Sequence, residues 1–224
     1  MKKLAITEQN QDEIYRLIKR IPFFSSVLAS SEAQFETLLD LADIVEVSAG
    51  ETVIRKGDTD MYLFFLLKGQ LTVYLDDDPY SSRLNYISPG EVFGILSMIT
   101  NTPRSAMIKA DENARSILLF KLNFAYLNDD SAKSELKLQT KIEFYRMAAN
   151  YVRWTLEMKK MADPKNPLTA KMLKLPLLKA PKNTNEELQA LKEQTKSMAE
   201  LLFQWNESDM DAGGSQEAAI SRQH

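Results

Sequence analysis

Phe93-Gly94-Ile95-Leu96-Ser97-Met98-Ile99-Thr100-Asn101-Thr102-Pro103-Arg104-Ser105-Ala106 is the stretch whose reading decides the fold. Before it, short apolar or alternating runs follow one another: Ile44 to Val47, Thr52 to Ile54, Tyr62 to Leu67, Leu71 to Leu75 and Arg83 to Ile87. Gly50, Gly57-Asp58, Gly69 and Pro89-Gly90 punctuate them, and Met107 to Ala110 and Ser116 to Lys121 continue the series afterwards. Runs of that length between turn residues are strands, and a meander of them predicts a sandwich or barrel. Between Phe93 and Arg104 the alternation stops, and Leu96, Met98 and Ile99 suffice only for a short helical turn. An irregular insertion in a strand-built region is the first pointer to function. Asp76-Asp77-Asp78-Pro79 reads as an acidic hairpin turn rather than a cation site, because turns select Asp and Pro.

The flanks read as helices. Ile14, Leu17 and Ile18 predict one over Gln11 to Lys19, which Ile21-Pro22-Phe23-Phe24 ends; Phe35, Leu38, Leu39 and Leu41 predict a second after a Ser30-Ser31 cap, with Glu32 in its first turn. All seven glycines lie at Gly50 to Gly94 or at Gly213-Gly214, and 95–212 has none, so a turn-rich β region gives way to a helical one. After Asp129-Asp130-Ser131 a helix is expected to run to Ala162, where Asp163-Pro164 stops it. It carries two apolar stripes: Leu138, Ile142, Tyr145, Ala149, Val152, Leu156, and, offset, Phe144, Ala148, Tyr151, Thr155, Met158. One packing surface needs only one stripe, so the second predicts either a homodimer seam or deeper burial in the same domain. Pro164 to Asn183 holds four prolines, five lysines and no acid, as a partly extended linker does, and its Leu168 to Leu178 portion could instead dock on a partner or a membrane surface. Leu188, Leu191, Thr195, Met198, Leu202 and Trp205 define a final helix from Asn185 to about Asn206, whose stripe either folds back or meets an effector protein. The expected organisation is α+β: N-terminal helices (1–42), an antiparallel jelly-roll barrel (43–130), a long dimerisation helix (131–163), a Pro/Lys linker (164–184), a C-terminal helix (185–206) and a disordered tail (207–224).

Composition narrows the chemistry. The chain has no cysteine and a single histidine, His224, so thiolate or histidine catalysis and the usual soft metal sites lack material. A net charge of −3 gives no general attraction to nucleic acid or anionic lipid. The first residues lack a signal peptide's apolar core, and no run approaches the ~20 apolar residues of a membrane span. A cytoplasmic protein without membrane attachment is expected.

The stretch 93–106 resembles the phosphate-binding cassette of cyclic-nucleotide-binding domains, such as those of the cAMP-dependent kinase regulatory subunit and the catabolite activator protein. That family shows Phe-Gly-Glu-x-Ala-Leu, a short helix, then Arg-Ala-Ala, and the spacing from Gly94 to Arg104 matches without a gap. Gly50-Glu51, Gly57-Asp58, Gly69 and Pro89-Gly90-Glu91 resemble the family's turn signatures in order, so the likeness spans roughly residues 20 to 130. The resemblance implies that the short helix's first amides, with Leu96 and Ser97 among them, hold a phosphate. It implies that Arg104 adds a charge-assisted contact and that Gly94 permits close approach. Where the family places a ribose-binding glutamate this chain has Ile95, and a hydroxyl left unpaired there costs ~1–3 kcal/mol, tenfold to more than a hundredfold in affinity. Ser105 resembles the threonine of cGMP-preferring members, or is bonded locally. Asn150 either reaches a base over the pocket or faces solvent.

The expected ligand is therefore no assured cofactor, but a cyclic nucleotide or another phosphate-bearing molecule. After Ala162 no helix-turn-helix is discernible, so DNA binding through the usual module is not expected, and no kinase, cyclase or phosphodiesterase segment fits. A non-enzymatic regulatory protein is the expectation. The alternatives are a genuine cAMP or cGMP receptor and a transcription regulator with an unrecognised DNA-binding region.

Overall fold

The structure is a computed structural model that describes residues 1–75, 83–114, 116–175, 177 and 179–220, with side chains up to 208. The acidic turn at Asp76-Asp77-Asp78-Pro79 lies outside the described residues. The chain divides into two compact units, Met1–Phe144 and the segment from Tyr145 onward.

In the first unit, helices α1 (Gln11–Lys19), α2 (Pro22–Ser30) and α3 (Glu32–Leu41) come first, after a two-residue strand β1 (Lys2–Lys3). Three helices stand where two were expected. Pro22 does not merely end a helix: it opens α2 as its first residue, where a fixed φ suits the helix and the missing N–H has no partner to lose. Ser31 caps α3, its hydroxyl accepting from the Gln34 amide at 3.3 Å.

The remaining strands are β2 (Ala42–Val47), β3 (Thr52–Ile54), β4 (Tyr62–Lys68), β5 (Leu71–Tyr74), β6 (Arg83–Ile87), β7 (Val92–Phe93), β8 (Met107–Ala110) and β9 (Ile117–Asn123). They form two antiparallel sheets, β1-β2-β9-β4-β7 and β3-β8-β5-β6, the expected jelly-roll arrangement with flanking helices. Phe64, Leu66, Phe93, Leu119 and Val45 of the first sheet share one core with Ile54, Leu71, Ile87 and Ile108 of the second. Strand β4 is an unbroken apolar run because both its faces are buried. Phe64 stacks on Phe93 at 5.2 Å, while the next residue, Phe65, points the other way and meets Phe23 and Phe24 of α2 at 5.9 and 4.9 Å.

A short helix α4 (Ile95–Thr100) fills the break in the strand pattern, and α5 (Ala125–Asn128) follows β9. The long helix α6 spans Leu138–Ala162, not 131 onward. Residues 131–137 have other partners: Asp129 Oδ1 accepts from the Ser131 amide at 2.8 Å, and the Gln34 side chain donates to the Glu135 carbonyl and accepts from the Lys137 amide and the Thr140 hydroxyl. A buried amide 103 residues away thus captures the backbone groups that an earlier helix start would need.

In the second unit, α6 continues, the Pro/Lys segment holds one helical turn α7 (Thr169–Met172), and α8 spans Asn185–Ile220. Helix α8 runs past its expected end near Asn206, since once a helix is nucleated each added residue needs only its own backbone bond. Arg146 of α6 and Glu187 of α8 form a bidentate pair, and Lys192 lies over the Tyr145 ring at 5.5 Å. Leu188, Leu191, Thr195, Met198, Leu202 and Trp205 are buried, so the C-terminal stripe is already covered within its own chain. The second stripe on α6 divides: Phe144 and Ala148 are buried, whereas Tyr151 and Met158 are exposed, as are Trp154 (64%) and Met161 (72%) beside them.

Candidate functional site

Strand β7 ends at Phe93, and the chain turns into α4 through Gly94, whose φ of +77° is in the left-handed region. A Cβ at Gly94 would stand 2.7 Å from Arg104 Nη1, so glycine here is required by the arginine as well as by the turn. After α4, Asn101 adopts a left-handed φ of 52° and closes the helix. The Thr102 amide donates to the Ser97 carbonyl at 3.1 Å, which brings the chain back so that Arg104 re-enters beneath the helix.

A second loop fastens to the same place. Backbone hydrogen bonds link Gly57 N to the Arg104 carbonyl and Arg104 N to the Asp58 carbonyl, both at 2.8 Å. That ladder sets Asp60 beside the arginine side chain. Asp60 also accepts from the Tyr62 amide at 3.0 Å, which fixes its carboxylate at the start of β4.

The guanidinium of Arg104 is 3% exposed and donates five hydrogen bonds. Nε and Nη2 donate to the two Asp60 carboxylate oxygens at 3.3 and 2.7 Å; Nη1 donates to the Gly94 carbonyl at 2.6 Å and to Ser97 Oγ at 2.9 Å; Nη2 also donates to the Tyr62 carbonyl. An arginine has five N–H donors, so the chain's own groups satisfy all of them. The charge is matched as well: burial pushes the Asp60 carboxyl upward, but the Arg104 hydrogen bond, the Tyr62 amide and the charges of Arg104 and Lys121 outweigh it and hold the carboxyl below its ordinary value. The pair is a neutral, internally bonded unit.

Of the residues Gly94, Ile95, Leu96, Ser97 and Arg104, hydrogen bonds join Gly94, Ser97 and Arg104 to one another. Ser97 donates to the Gly94 carbonyl and accepts from Arg104, which ties the helix start to the guanidinium. Ile95 is buried (1% exposed) and offers the site only hydrocarbon. Leu96 and Ser105 are half-buried, and the Ser105 hydroxyl makes no hydrogen bond among the described residues. Asn150 belongs to the second unit and is exposed. Sequence reasoning missed Asp60; the signal available was a second carboxylate directly before an apolar strand, in the loop Gly57-Asp58-Thr59-Asp60. Among the described residues no group of three or more His, Cys, Asp or Glu side chains is placed to hold a metal, and no helix is long and apolar enough to cross a membrane.

This fold and this glycine-to-arginine segment define the class. Residues 44–131 match the model of the cyclic nucleotide-binding domain. Among curated proteins, a cyclic nucleotide-gated potassium channel of Rhizobium etli is 28% identical over 117 residues, covering 52% of this chain and 31% of the channel. The cAMP-dependent protein kinase type II regulatory subunit of Drosophila melanogaster is 31% identical over 61 residues, covering 27% of this chain and 16% of the subunit. Among solved structures, the regulatory domain of Toxoplasma gondii PKA with cAMP aligns at 20% identity and a TM-score of 0.47, over 66% of this chain and 52% of that one. The chain spans less than a third of the length of the curated relatives it matches.

Proposed function

We propose that the chain is a non-enzymatic, cytoplasmic regulatory protein whose cyclic nucleotide-binding domain holds its cassette closed with an internal counter-ion, and which acts through protein contacts. The observation that carries this is the occupancy of Arg104: a phosphate entering the cassette has to displace Asp60, the Gly94 and Tyr62 carbonyls or Ser97 from donors they already hold. It also meets a carboxylate, so like charges oppose it at short range. Ile95, at the position where the resemblance places a ribose-binding glutamate, supplies no acceptor to offset that cost. The residues present therefore do not fit a cyclic mononucleotide in the family's ordinary manner.

The contacts through which it acts are assigned to α6. Met147, Tyr151, Trp154, Met158 and Met161 follow a four-three-four-three spacing, the pattern of a two-helix seam, and the last four are exposed. We assign this face to a homodimer. An effector protein reaching the C-terminal segment would use something other than the covered stripe of α8. DNA binding has no reader assigned to it.

The alternative, a genuine cAMP or cGMP receptor, is favoured by the names of the relatives, which include a cyclic nucleotide-gated channel and a cAMP-dependent kinase subunit. Titration calorimetry with cAMP and cGMP decides between the two. The closed cassette gives no heat of binding at micromolar nucleotide, and Ile95→Glu strengthens binding only weakly while Asp60 stays in place. Micromolar or tighter binding of either nucleotide to the unmodified chain would overturn this reading in favour of the receptor.

A further inference from the structure

Within the second unit, α6, α8, Leu177 and Lys179 line a cleft of about 480 Å³, in the range usual for small-molecule sites. Its charges are not balanced. Arg146 at one end is neutralised: its Nε and Nη2 donate to the Glu187 carboxylate at 2.7–2.9 Å. Burial pushes the Glu187 carboxyl upward, and the Asn183 amide, the Arg146 bond and charge, and the Lys182 charge together bring it below its ordinary value, so that pair is a fixed, closed wall.

Arg153 and Lys179 differ. Both line the cleft, and neither makes an ion pair or a hydrogen bond among the described residues. Asn150 stands between the two arginines in sequence and lines the same space, with its amide likewise unengaged. The remaining wall is the buried Gln194 amide together with apolar surface from Ala149, Leu191 and Leu177, whose side chain is 74% exposed although the cleft is beside it. The cleft combines two uncompensated cations, two neutral amides and a hydrocarbon wall, with no acid on its lining.

We propose that this cleft binds an amphiphilic anion: a phosphate or carboxylate held between Arg153 and Lys179, with Asn150 donating to it and a short apolar body lying on Leu177, Ala149 and Leu191. A guanidinium and an ammonium converging on one oxyanion give charge-assisted bonds, the strong kind. The exposed leucine supplies the apolar surface that an inorganic ion cannot use. The headgroup chemistry is shared by a soluble alkyl or acyl phosphate and by an anionic lipid in a bilayer, and the test separates them.

The probes are octyl phosphate by calorimetry at low salt, inorganic phosphate as the headgroup alone, and vesicles of phosphatidylglycerol or of phosphatidylcholine by co-sedimentation. The variants are Arg153→Gln/Lys179→Gln and, separately, Leu177→Gln; none of these side chains holds an internal polar bond, so the thermal midpoint should be unchanged. Octyl phosphate is expected to bind the unmodified chain, at least about tenfold more weakly with the double variant, and more tightly than inorganic phosphate by a margin that Leu177→Gln reduces. Binding to phosphatidylglycerol but not phosphatidylcholine vesicles, lost in the double variant, identifies the source as lipid; octyl phosphate binding without vesicle binding identifies a free ligand. Failure of both, or binding that the double variant leaves intact, overturns the proposal. Because these residues lie in the second unit, that outcome leaves the closed cassette untouched.

Discussion

Replacing Asp60 with alanine is expected to destabilise the first unit by about 2–3 kcal/mol at neutral pH, roughly 4–12 °C in the unfolding midpoint for a chain of this size. Arg104 keeps its burial but loses the acceptors for Nε and for one Nη2 hydrogen, and its charge is left facing only the neutral Gly94 and Tyr62 carbonyls and Ser97. Removing one partner of a fully buried pair costs about 3–5 kcal/mol, and the loss here is smaller because the Asp60 side chain is 35% exposed and water screens part of it. The pH dependence follows from the direction of the Asp60 shift. Its carboxyl titrates below the ordinary value in the folded chain, so the pair's stabilisation is fully present above the unfolded carboxyl's pKa, about 3.9, and is lost as the pH falls through the lower, folded value. Other carboxylates share this acid limb, Glu187 among them, so the quantity to measure is the difference in denaturant-unfolding free energy between the unmodified chain and Asp60→Ala. It should be large at pH 7 and shrink toward zero as the pH falls through the lowered, folded value of Asp60. Equal stabilities at pH 7 would show that the pair is ornamental.

A second large effect is expected at the exposed face of α6. Replacing Trp154 and Met158 together by glutamate should convert a dimer to a monomer in sedimentation equilibrium, weakening association by at least about a hundredfold. Tyr151, Trp154, Met158 and Met161 present a continuous apolar strip, and covering an apolar side chain of this size contributes about 1.5–3 kcal/mol. Two glutamates per chain bring four like charges into that seam. Because these side chains are exposed in the single chain, the substitution should leave the unfolding midpoint of the monomer unchanged, which separates lost association from lost folding. A chain that is monomeric before substitution, or dimeric after it, contradicts the assignment of this face.

What could be read from the sequence, and what could not, divides along the range of the interactions concerned. Strands β3, β6 and β8 lie where their apolar runs and flanking turn residues place them, because period and punctuation are local properties. The segment from Gly94 to Arg104 was legible for the same reason: the glycine, the short helix and the arginine are eleven consecutive positions, and Arg104 Nη1 donates back to the Gly94 carbonyl. Pro22 was misjudged because a proline inside an apolar stretch ends one helix and starts the next with equal ease, and only the extended backbone of Ile21 before it distinguishes the two. The start of α6 was misplaced because the Asp129-Asp130-Ser131 signal is real but is spent on a turn, while Gln34, far away in sequence, holds the following backbone.

Asp60 is the most consequential omission. Read as a sequence, Arg104 is a cation awaiting an anion; in the folded chain its anion is already present, 44 residues earlier. No periodicity or spacing rule links the two. Their juxtaposition depends on the backbone ladder between Gly57-Asp58 and Arg104, which exists only after the sheets have formed. The same limit applies to the cleft on the second unit, where Arg153 and Lys179 lie on segments that local pattern could not have paired.

The most direct test of the closed cassette is the nitrogen-detected side-chain NMR spectrum of Arg104, assigned by comparison with Arg104→Lys, recorded before and after addition of millimolar cAMP. With every N–H held by Asp60, Gly94, Ser97 and Tyr62, rotation about the Nε–Cζ bond is slow, separate Nη signals are resolved, and the nucleotide leaves them in place. Averaged Nη signals like those of a solvated arginine, or signals that move saturably with cAMP, would contradict the account.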